Sequence, residues 1–194
     1  MSFNVLVIAE DFTKDEFILK PLIERLLAEE GKPHANVQVC RNPNPGGVGT
    51  CLDAAWLLND VVPLYPMVQL FLLFVDRDGV AERRTRIDGL ERQVAASLGP
   101  GVRFLGENAW QEVEVFVLAG HDLPDGWRWQ DVRSDPDVKN TYFLRLAKQA
   151  GSLHLPHWGR KKLMLQAIRN WQRIKDRCPE DVGRLATRLG EVTT

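Results

Sequence analysis

The sequence has few cysteines, and none is placed to cross-link a fold or to hold a metal. Cys40, Cys51 and Cys178 are scattered along a chain of 194 residues, and the sequence contains no C-x-x-C pair. An odd, scattered set argues against a disulfide framework and against a structural zinc site. The pattern is typical of a protein from a reducing compartment.

Long apolar stretches are also missing. The longest apolar run, Leu70–Val75, is much shorter than the roughly 20 residues that a membrane-spanning helix needs. The opening residues, MSFNVLVIAED, lack the charged start and the long apolar segment of a secretory signal. We therefore expect a cytoplasmic protein that does not insert into a membrane.

The chain has no excess of charge of one sign. Its 25 Lys and Arg residues nearly cancel its 26 Asp and Glu residues, which leaves a formal charge of −1. This balance excludes a uniformly basic nucleic-acid-binding protein. Basic residues are nevertheless concentrated at 159–177 and at Arg83, Arg84 and Arg86. Such local basic faces on a neutral chain can still bind a polyanion.

Apolar runs alternate with amphipathic segments along the first part of the chain. The runs 3–9 and 68–75 are typical of strands that are buried on both faces of a sheet. Strands that alternate with helices predict an α/β fold with a mostly parallel sheet flanked by helices. The remaining predicted elements here are short strands at 37–40 and 102–105, and helices at 13–30, 51–62 and 81–98.

The start of the first predicted helix has its own signature. Thr13-Lys14-Asp15-Glu16 has the pattern of a capping box, in which the threonine and the glutamate satisfy the free backbone groups of a helix start. Pro21 lies inside this segment, and we expect it to kink the helix or to shift its start.

The second part of the chain is mostly helical in pattern. The apolar run 113–119 follows carboxylates and leaves helix and strand both open, whereas 121–137 is rich in Asp, Pro, Gly and Trp and predicts a loop. The length fits one compact domain, in which we expect a core at 1–125 and a loop and helical extension at 126–194 that packs on it. Helical patterns in this extension lie near 138–150, 159–177 and 180–190.

Three carboxylates directly follow predicted strands. Glu10 follows the first strand, and Asp76 and Asp78 follow the run 68–75. If these two strands are neighbours, their carboxyl ends bring the three side chains to one edge of the sheet, where α/β proteins bind ligands. Like charges at one place are costly unless cations lie between them, and carboxylate oxygens suit Mg²⁺ or Mn²⁺. The sequence therefore predicts a divalent-cation site.

The segments around these carboxylates resemble a known catalytic module. VIAEDFTKDEF and LFVDRDG are similar to the TOPRIM domain of topoisomerases, primases and the overcoming-lysogenization-defect nucleases. The similarity is greatest to small stand-alone TOPRIM-like proteins found near bacterial defence ATPases. Glu10 would match the first-strand glutamate, Asp76 and Asp78 the Asp-x-Asp pair, and Glu114 in EVFVLAG a further glutamate. Asp11 stands where the family usually has glycine.

The resemblance implies a TOPRIM-like, Rossmann-like fold and metal-dependent cleavage of phosphodiester bonds in DNA or RNA. Asp76, Asp78 and Glu114 would hold one or two Mg²⁺ or Mn²⁺ ions, and Glu10 would bind metal or take the proton from the attacking water. Glu112 is two residues from Glu114 and is an alternative ligand. The resemblance also implies a role in antiviral defence, a nearby ATPase of the overcoming-lysogenization-defect or ATP-binding-cassette type as partner, and a homo-oligomer.

The same resemblance assigns roles to basic residues of the extension. A lysine would stabilise the charge that develops on the phosphate, with Lys161 favoured over Lys139. Lys139, Arg160 and Lys162 would contact the nucleic acid. The tryptophans in predicted loops could stack on bases, although tryptophans more often fill cores or interfaces; they are Trp110, Trp127, Trp129 and Trp158.

Two other functions fit parts of the pattern. FVDRDG also resembles the haloacid-dehalogenase phosphatase motif, in which Asp76 would be the nucleophile, but that motif belongs on the first strand of its fold and gives Glu10 no role. A non-catalytic TOPRIM-like subunit that senses or binds a partner is the second alternative. The replacement of glycine by Asp11 keeps this alternative open.

Overall fold

The computed structural model describes residues 3–193, and its centre is a parallel β-sheet. Within those residues the sheet has four strands in the order β2-β1-β3-β4. β1 pairs in parallel with β2 and with β3, and β3 pairs in parallel with β4. The strands are β1 (Asn4–Ala9), β2 (Asn36–Val39), β3 (Leu70–Val75) and β4 (Arg103–Asn108).

The two central strands are apolar along their length because both of their faces are covered. Val5 and Val7 of β1 point into one apolar core, and Leu6 and Ile8 point into a second core on the opposite face. β3 alternates in the same way and is buried throughout. The expected α/β architecture, a parallel sheet with helices on both faces, is confirmed, and it is Rossmann-like.

Ten α-helices surround this sheet within residues 3–193, and several of them are short. One core lies between the sheet and α1, α5, α8, α9 and α10, and the other lies between the sheet and α2, α3 and α4. None of the helices in the described part of the chain could span a bilayer. The helices are α1 (Phe12–Glu29), α2 (Val48–Cys51), α3 (Ala54–Trp56), α4 (Arg83–Ala95), α5 (Glu114–Gly120), α6 (Trp129–Ser134), α7 (Leu144–Gln149), α8 (Arg160–Ala167), α9 (Trp171–Arg177) and α10 (Arg184–Thr193).

Helical turns of other types extend or join these helices. The helix expected at 51–62 is divided among α2, α3, a π-helical turn and a 3₁₀ turn, and Pro63 lies in the last of these. Helix α6 lies inside the segment 121–137 that was expected to be a loop. The π-helical turns are Leu57–Val61, Lys139–Phe143 and Pro179–Gly183, and the 3₁₀ turns are Val62–Leu64, Pro156–Gly159 and Ile168–Asn170.

The start of α1 differs from the expected capping box. The helix begins at Phe12, and the Thr13 hydroxyl donates a hydrogen bond to the Asp11 carboxylate instead of capping the backbone. The Lys14 ammonium donates to the same carboxylate at 2.5 Å. The Asp11 carboxylate thus accepts hydrogen bonds from both Thr13 and Lys14. Helix α1 continues through Pro21 to Glu29.

Strand β4 extends three residues beyond its expected end because its polar residues have partners. Glu107 is buried and forms ion pairs with Arg84 at 2.8 Å and with Arg188. Arg84 also donates to the Gly106 carbonyl at 2.8 Å, and the Gly106 amide donates to Glu91 at 2.8 Å. Arg84 and Glu91 thus form hydrogen bonds with the backbone of Gly106 on the edge strand β4. These bonds protect the edge against pairing with another chain.

The helical extension is part of the same apolar core as the N-terminal helix. Leu163 of α8, Trp171 of α9 and Leu185 of α10 belong to the core cluster that contains Leu19 and Leu22 of α1. Helix α8 therefore lies against α1 and α5, and its first residue reaches the carboxyl edge of the sheet.

Candidate functional site

The carboxyl ends of β1 and β3 lie side by side, as the predicted site requires. Ala9, the last residue of β1, pairs with Phe74, and Glu10 and Asp76 follow these strands directly. The charges of Asp78 and Glu112 raise the pKa of Glu10, and those of Glu10 and Asp78 raise the pKa of Asp76, so the four carboxylates share one neighbourhood. The structure thus brings Glu10, Asp76 and Asp78 together at one edge of the sheet, as the sequence predicts.

The Asp-x-Asp loop is held by the segment that follows β4. An Asp76 carboxylate oxygen accepts a hydrogen bond from the Val113 amide at 2.9 Å. The Gln111 carbonyl accepts from the Arg77 amide at 2.8 Å, and its side-chain oxygen accepts from the Gly79 amide at 2.9 Å. These hydrogen bonds hold the loop 76–79 against the segment 111–113 that follows β4.

Asp78 has a strained backbone within this loop. Its φ of 51° is in the left-handed region, which residues other than glycine adopt at a cost of about 1 kcal/mol or more. Its side chain is exposed and points toward Arg83, whose guanidinium lies 4.0 Å away. Strain of this kind persists only where the surrounding bonds impose it, and it is concentrated at functional sites.

The clustered carboxylates have raised pKa values. Burial and the nearby Asp78 raise the pKa of Glu10 to about 7. Burial and the nearby Glu114 raise the pKa of Asp15 to about 7. Burial, followed by the charges of Asp15 and Glu114, raises the pKa of Asp76 well above its ordinary value. The site therefore resists full ionisation near neutral pH, and an added cation would favour it.

Asp15 also belongs to this group of carboxylates, although the sequence pattern places it only inside the predicted capping box and gives it no role of its own. Asp15 is 7% exposed and lies on the buried side of α1. One sequence signal could have identified it, because Ile18, Leu19 and Leu22 follow at the spacing of one helix face. A carboxylate in line with an apolar stripe needs a partner in the interior.

Arg160 is that partner. It is 2% exposed, forms an ion pair with Glu114 and lies 3.5 Å from an Asp15 oxygen. The structure therefore places Arg160, which was expected at the nucleic-acid surface, among the buried carboxylates. Glu114, an expected metal ligand, is engaged by this guanidinium.

A left-handed turn carries Arg160 into the interior. His157, Trp158 and Gly159 have φ values of 51°, 57° and 74° in succession. A Cβ atom on Gly159 would lie 2.6 Å from the Ser152 Cβ, so glycine is required there by both space and backbone conformation. The turn immediately precedes α8, whose first residue is Arg160.

The two candidate glutamates, Glu112 and Glu114, are both buried at this edge. Glu112 accepts a hydrogen bond from the Lys139 amide at 2.7 Å, and the Lys139 ammonium lies 3.6 Å from its other oxygen. Lys139 is thus the lysine that contacts the acidic cluster. Lys161 is exposed, and within residues 3–193 no ion pair joins it to these carboxylates. Lys162 is exposed and donates to the Ser152 hydroxyl at 3.4 Å.

Lys161 and Lys162 line a different surface. They border an open groove of about 570 Å³ together with Phe17 and Leu165. Phe17 stacks on the His157 ring with 4.8 Å between ring centroids. The structure therefore separates these two lysines from Lys139 and assigns them to a groove between α1 and α8.

The carboxylate oxygens at the site are the ligands that a hard divalent cation prefers. They do not, however, converge on one point. The carboxylates outnumber the three basic groups that contact them, Arg83, Lys139 and Arg160. Among residues 3–193, however, no three Asp, Glu, His or Cys side chains converge closely enough to hold a metal ion. Side chains would have to turn inward on binding, and the exposed Asp78 would have to leave its pairing with Arg83 to do so. The acidic cluster comprises Glu10, Asp15, Asp76, Asp78, Glu112 and Glu114.

Fold and site together define the class of protein: a Rossmann-like α/β protein with an acidic cluster at the carboxyl edge of its parallel sheet. No protein-family model, curated protein or solved structure matches the chain.

Proposed function

We propose that the chain is a metal-dependent nuclease, which cleaves phosphodiester bonds of DNA or RNA at the acidic cluster with Mg²⁺ or Mn²⁺. One observation carries the proposal: Glu10, Asp15 and Asp76 crowd at the sheet edge, and burial and mutual repulsion raise their pKa values. Perturbed carboxylates that share one site are typical of catalytic and cation-binding centres. The TOPRIM-like order of Glu10 on one strand and Asp76 and Asp78 on its neighbour supports the same assignment.

Each residue has a role that its surroundings favour. A pKa of about 7 suits Glu10 to take a proton from an attacking water near neutral pH. Asp76 and the exposed Asp78 would hold the ion, which when bound neutralises phosphate charge and lowers the pKa of water. Lys139, beside Glu112, is the one of the three candidate lysines that lies at this edge, so we assign it to face the phosphate.

The pairing of Arg160 with Glu114 supports a positioning role for the arginine. A buried guanidinium that neutralises Glu114 and approaches Asp15 keeps α1, α5 and α8 in register around the cluster. Removing it would leave two carboxylates buried without a counter-charge, which is costly. Arg160 would therefore hold the acidic residues in place rather than contact nucleic acid.

The localisation and the partners of the protein are also proposals. We propose a cytoplasmic protein, on the grounds that Cys40, Cys51 and Cys178 are buried free thiols. Nucleic acid is the proposed partner. A defence ATPase, an antiviral role and a homo-oligomer are proposals that rest on the TOPRIM resemblance alone.

A second candidate is a non-catalytic TOPRIM-like subunit that binds a partner. The observation that favours it is the engagement of Glu114 by Arg160, together with the absence of a preformed ligand set in residues 3–193. In this case the acidic cluster would be a structural feature that no longer binds metal.

A cleavage assay separates the candidates. Purified protein is incubated with supercoiled plasmid, single-stranded DNA and tRNA-containing RNA in Mg²⁺ or Mn²⁺, with EDTA as a control. The variant Asp76→Asn removes one charge from the cluster, and Asp88→Asn is its matched control, because Asp88 pairs with Arg84 and Arg184 at the surface.

The nuclease proposal expects metal-dependent products from the wild type and from Asp88→Asn, and none from Asp76→Asn. Products that persist in Asp76→Asn, or that form equally in EDTA, would refute it. A folded wild type that cleaves none of the three substrates would favour the non-catalytic subunit. Release of phosphate from p-nitrophenyl phosphate without cleavage of nucleic acid would favour the phosphatase.

A further inference from the structure

Trp110 is a large aromatic residue that belongs to neither apolar core. The other five tryptophans of the sequence all pack on one of the two cores. Trp110 is half-buried and lies two residues after the end of β4, at the carboxyl edge of the sheet. Packing of the interior therefore does not account for an indole at this position.

Two arginines cover the Trp110 ring. The Arg77 guanidinium lies 4.3 Å and the Arg133 guanidinium 5.5 Å from the ring centroid. Arg133 is fixed by ion pairs to Asp181 at 3.0 Å and to Glu180 at 2.8 Å. Arg77 forms no ion pair within residues 3–193, so its charge is available to a ligand.

Arg77 links this aromatic group to the acidic cluster. It lies between Asp76 and Asp78 in sequence, and its amide is bonded to the carbonyl of Gln111, the residue after Trp110. A ligand that contacts Trp110 and Arg77 is therefore directly beside the Asp-x-Asp loop.

A cavity of about 300 Å³ opens between Trp110 and a second indole, Trp129. Trp129 is held in place, because its ring nitrogen donates to the Arg177 carbonyl at 3.1 Å and the Arg177 guanidinium lies 5.2 Å from its ring. The Gln130 amide on the cavity wall offers both a donor and an acceptor. We name this space, lined by Trp110, Trp129, Gln130, Arg133, Asp176, Arg177, Pro179 and Glu180, the Trp110 cavity.

The lining of the Trp110 cavity fits an aromatic heterocycle better than a simple anion. Two carboxylates, Asp176 and Glu180, offset the two arginines of the wall, so charge alone gives little attraction for phosphate. Indole rings, in contrast, stack on any nucleobase, and guanidinium groups add to such stacks.

We propose that the Trp110 cavity is a nucleobase subsite, which takes one unpaired base of a single strand while Arg77 contacts an adjoining phosphate. This inference rests on the proposed nuclease function and narrows its substrate class to single-stranded nucleic acid. A base within a duplex is paired and stacked, so it would first have to be flipped out at a cost. A base in this cavity would bring the neighbouring phosphodiester to the Asp-x-Asp loop.

Binding without cleavage tests the subsite directly. Fluorescence anisotropy follows a labelled single strand of roughly 12 nucleotides, in EDTA and at about 50 mM salt, with the duplex of the same sequence for comparison. The variants are Trp110→Leu, which removes the ring, and Trp110→Phe, which restores an aromatic surface. Trp127→Leu is the matched control, because Trp127 lies in a nearby loop, packs edge-on against Tyr142 and does not line the cavity.

We expect the wild type to bind the single strand more tightly than the duplex. Trp110→Leu should weaken single-strand binding by roughly 5- to 150-fold, the range for loss of one stacked base. Trp110→Phe should recover most of that loss, and Trp127→Leu should leave binding within about 3-fold of the wild type.

Three results would overturn the inference. Unchanged binding by Trp110→Leu, in a protein whose wild type cleaves nucleic acid, would refute the subsite and leave the nuclease proposal intact. Equal losses in Trp110→Leu and Trp127→Leu, with circular dichroism unchanged in both, would show that the Trp110 ring has no special role and would refute the subsite. A wild type that neither binds nor cleaves any nucleic acid would refute both proposals.

Discussion

Replacing Asp15 with asparagine should change how the stability of the protein depends on pH. Asp15 is 7% exposed, and burial and Glu114 raise its pKa from 3.8 to about 7, against the opposing effect of Arg160. The folded state therefore holds this proton more tightly than the unfolded state does. As a result, the carboxyl group lowers the free energy of unfolding as the pH rises from about 4 to about 7, and the loss is complete above that range.

The size of the effect follows from the shift. Moving a carboxyl pKa from 3.8 to about 7 corresponds to roughly 4 kcal/mol, at ~1.4 kcal/mol for each pH unit. Part of this loss is already present at about pH 5, because the unfolded carboxyl group is ionised there. Between about pH 5 and pH 8, the stability of Asp15→Asn relative to the wild type should therefore rise by about 2.5 kcal/mol.

Urea unfolding followed by circular dichroism at both pH values measures this difference. Glu16→Gln is the control, because Glu16 occupies the next position of α1 and pairs with the exposed Arg41. Glu16→Gln should change the free energy of unfolding by no more than about 0.5 kcal/mol at either pH value. A relative stability of Asp15→Asn that is flat or falls with pH would refute the claim that this carboxylate is buried in a repulsive cluster.

Three further variants test other parts of the site and its support. Arg160→Met leaves Glu114 and Asp15 buried without a cation and should cost about 3–5 kcal/mol at pH 8 but less at pH 5, as measured by urea unfolding. Asp78→Gly relieves the left-handed backbone, so it should raise the free energy of unfolding by about 1 kcal/mol while cleavage is lost. Gly120→Ala would place a Cβ 2.5 Å from the Ala167 carbonyl oxygen, and a loss of about 1–3 kcal/mol should appear as a lower melting temperature. Unchanged stability in Arg160→Met or in Gly120→Ala would contradict the structure, and cleavage by Asp78→Gly would contradict the proposed role of Asp78.

The sheet and the position of the acidic edge could be predicted from the sequence because both rest on short-range patterns. The apolar runs of β1 and β3 indicate strands covered on both faces, and the residues that follow such strands lie at the ligand-binding edge. Glu10, Asp76 and Asp78 could be placed by this reasoning alone.

The parts that sequence reasoning missed depend on long-range contacts. Arg160 is 46 positions from Glu114, and only the packing of α8 against α1 and α5 brings the two together. Its basic neighbours suggested a surface face, and nothing local to the sequence indicates that Arg160 alone turns inward. The left-handed turn that directs it includes His157 and Trp158, which rarely adopt that conformation.

The lysines show the same limit. The family-like motif favours Lys161 over Lys139, whereas the structure has Lys139, in the π-helical turn Lys139–Phe143, beside Glu112. The burial of Asp15 could not be predicted for a different reason. Its neighbours fit a capping box, but the helix does not form one. For Lys139 and Asp15 alike, a tertiary contact that the local pattern does not contain sets the surroundings of the side chain.

The central claim is that the acidic cluster binds a divalent cation, and calorimetric titration with Mn²⁺ tests it most directly. Titrations at about pH 6.5 in two buffers of different ionisation enthalpy give both the affinity and the protons released per ion. We predict that the wild type binds Mn²⁺ with release of roughly one proton or more, because Glu10 and Asp15 have pKa values of about 7, and that Asp76→Asn loses this binding. A wild type that binds no Mn²⁺, or an Asp76→Asn variant that binds it equally well, would contradict the claim.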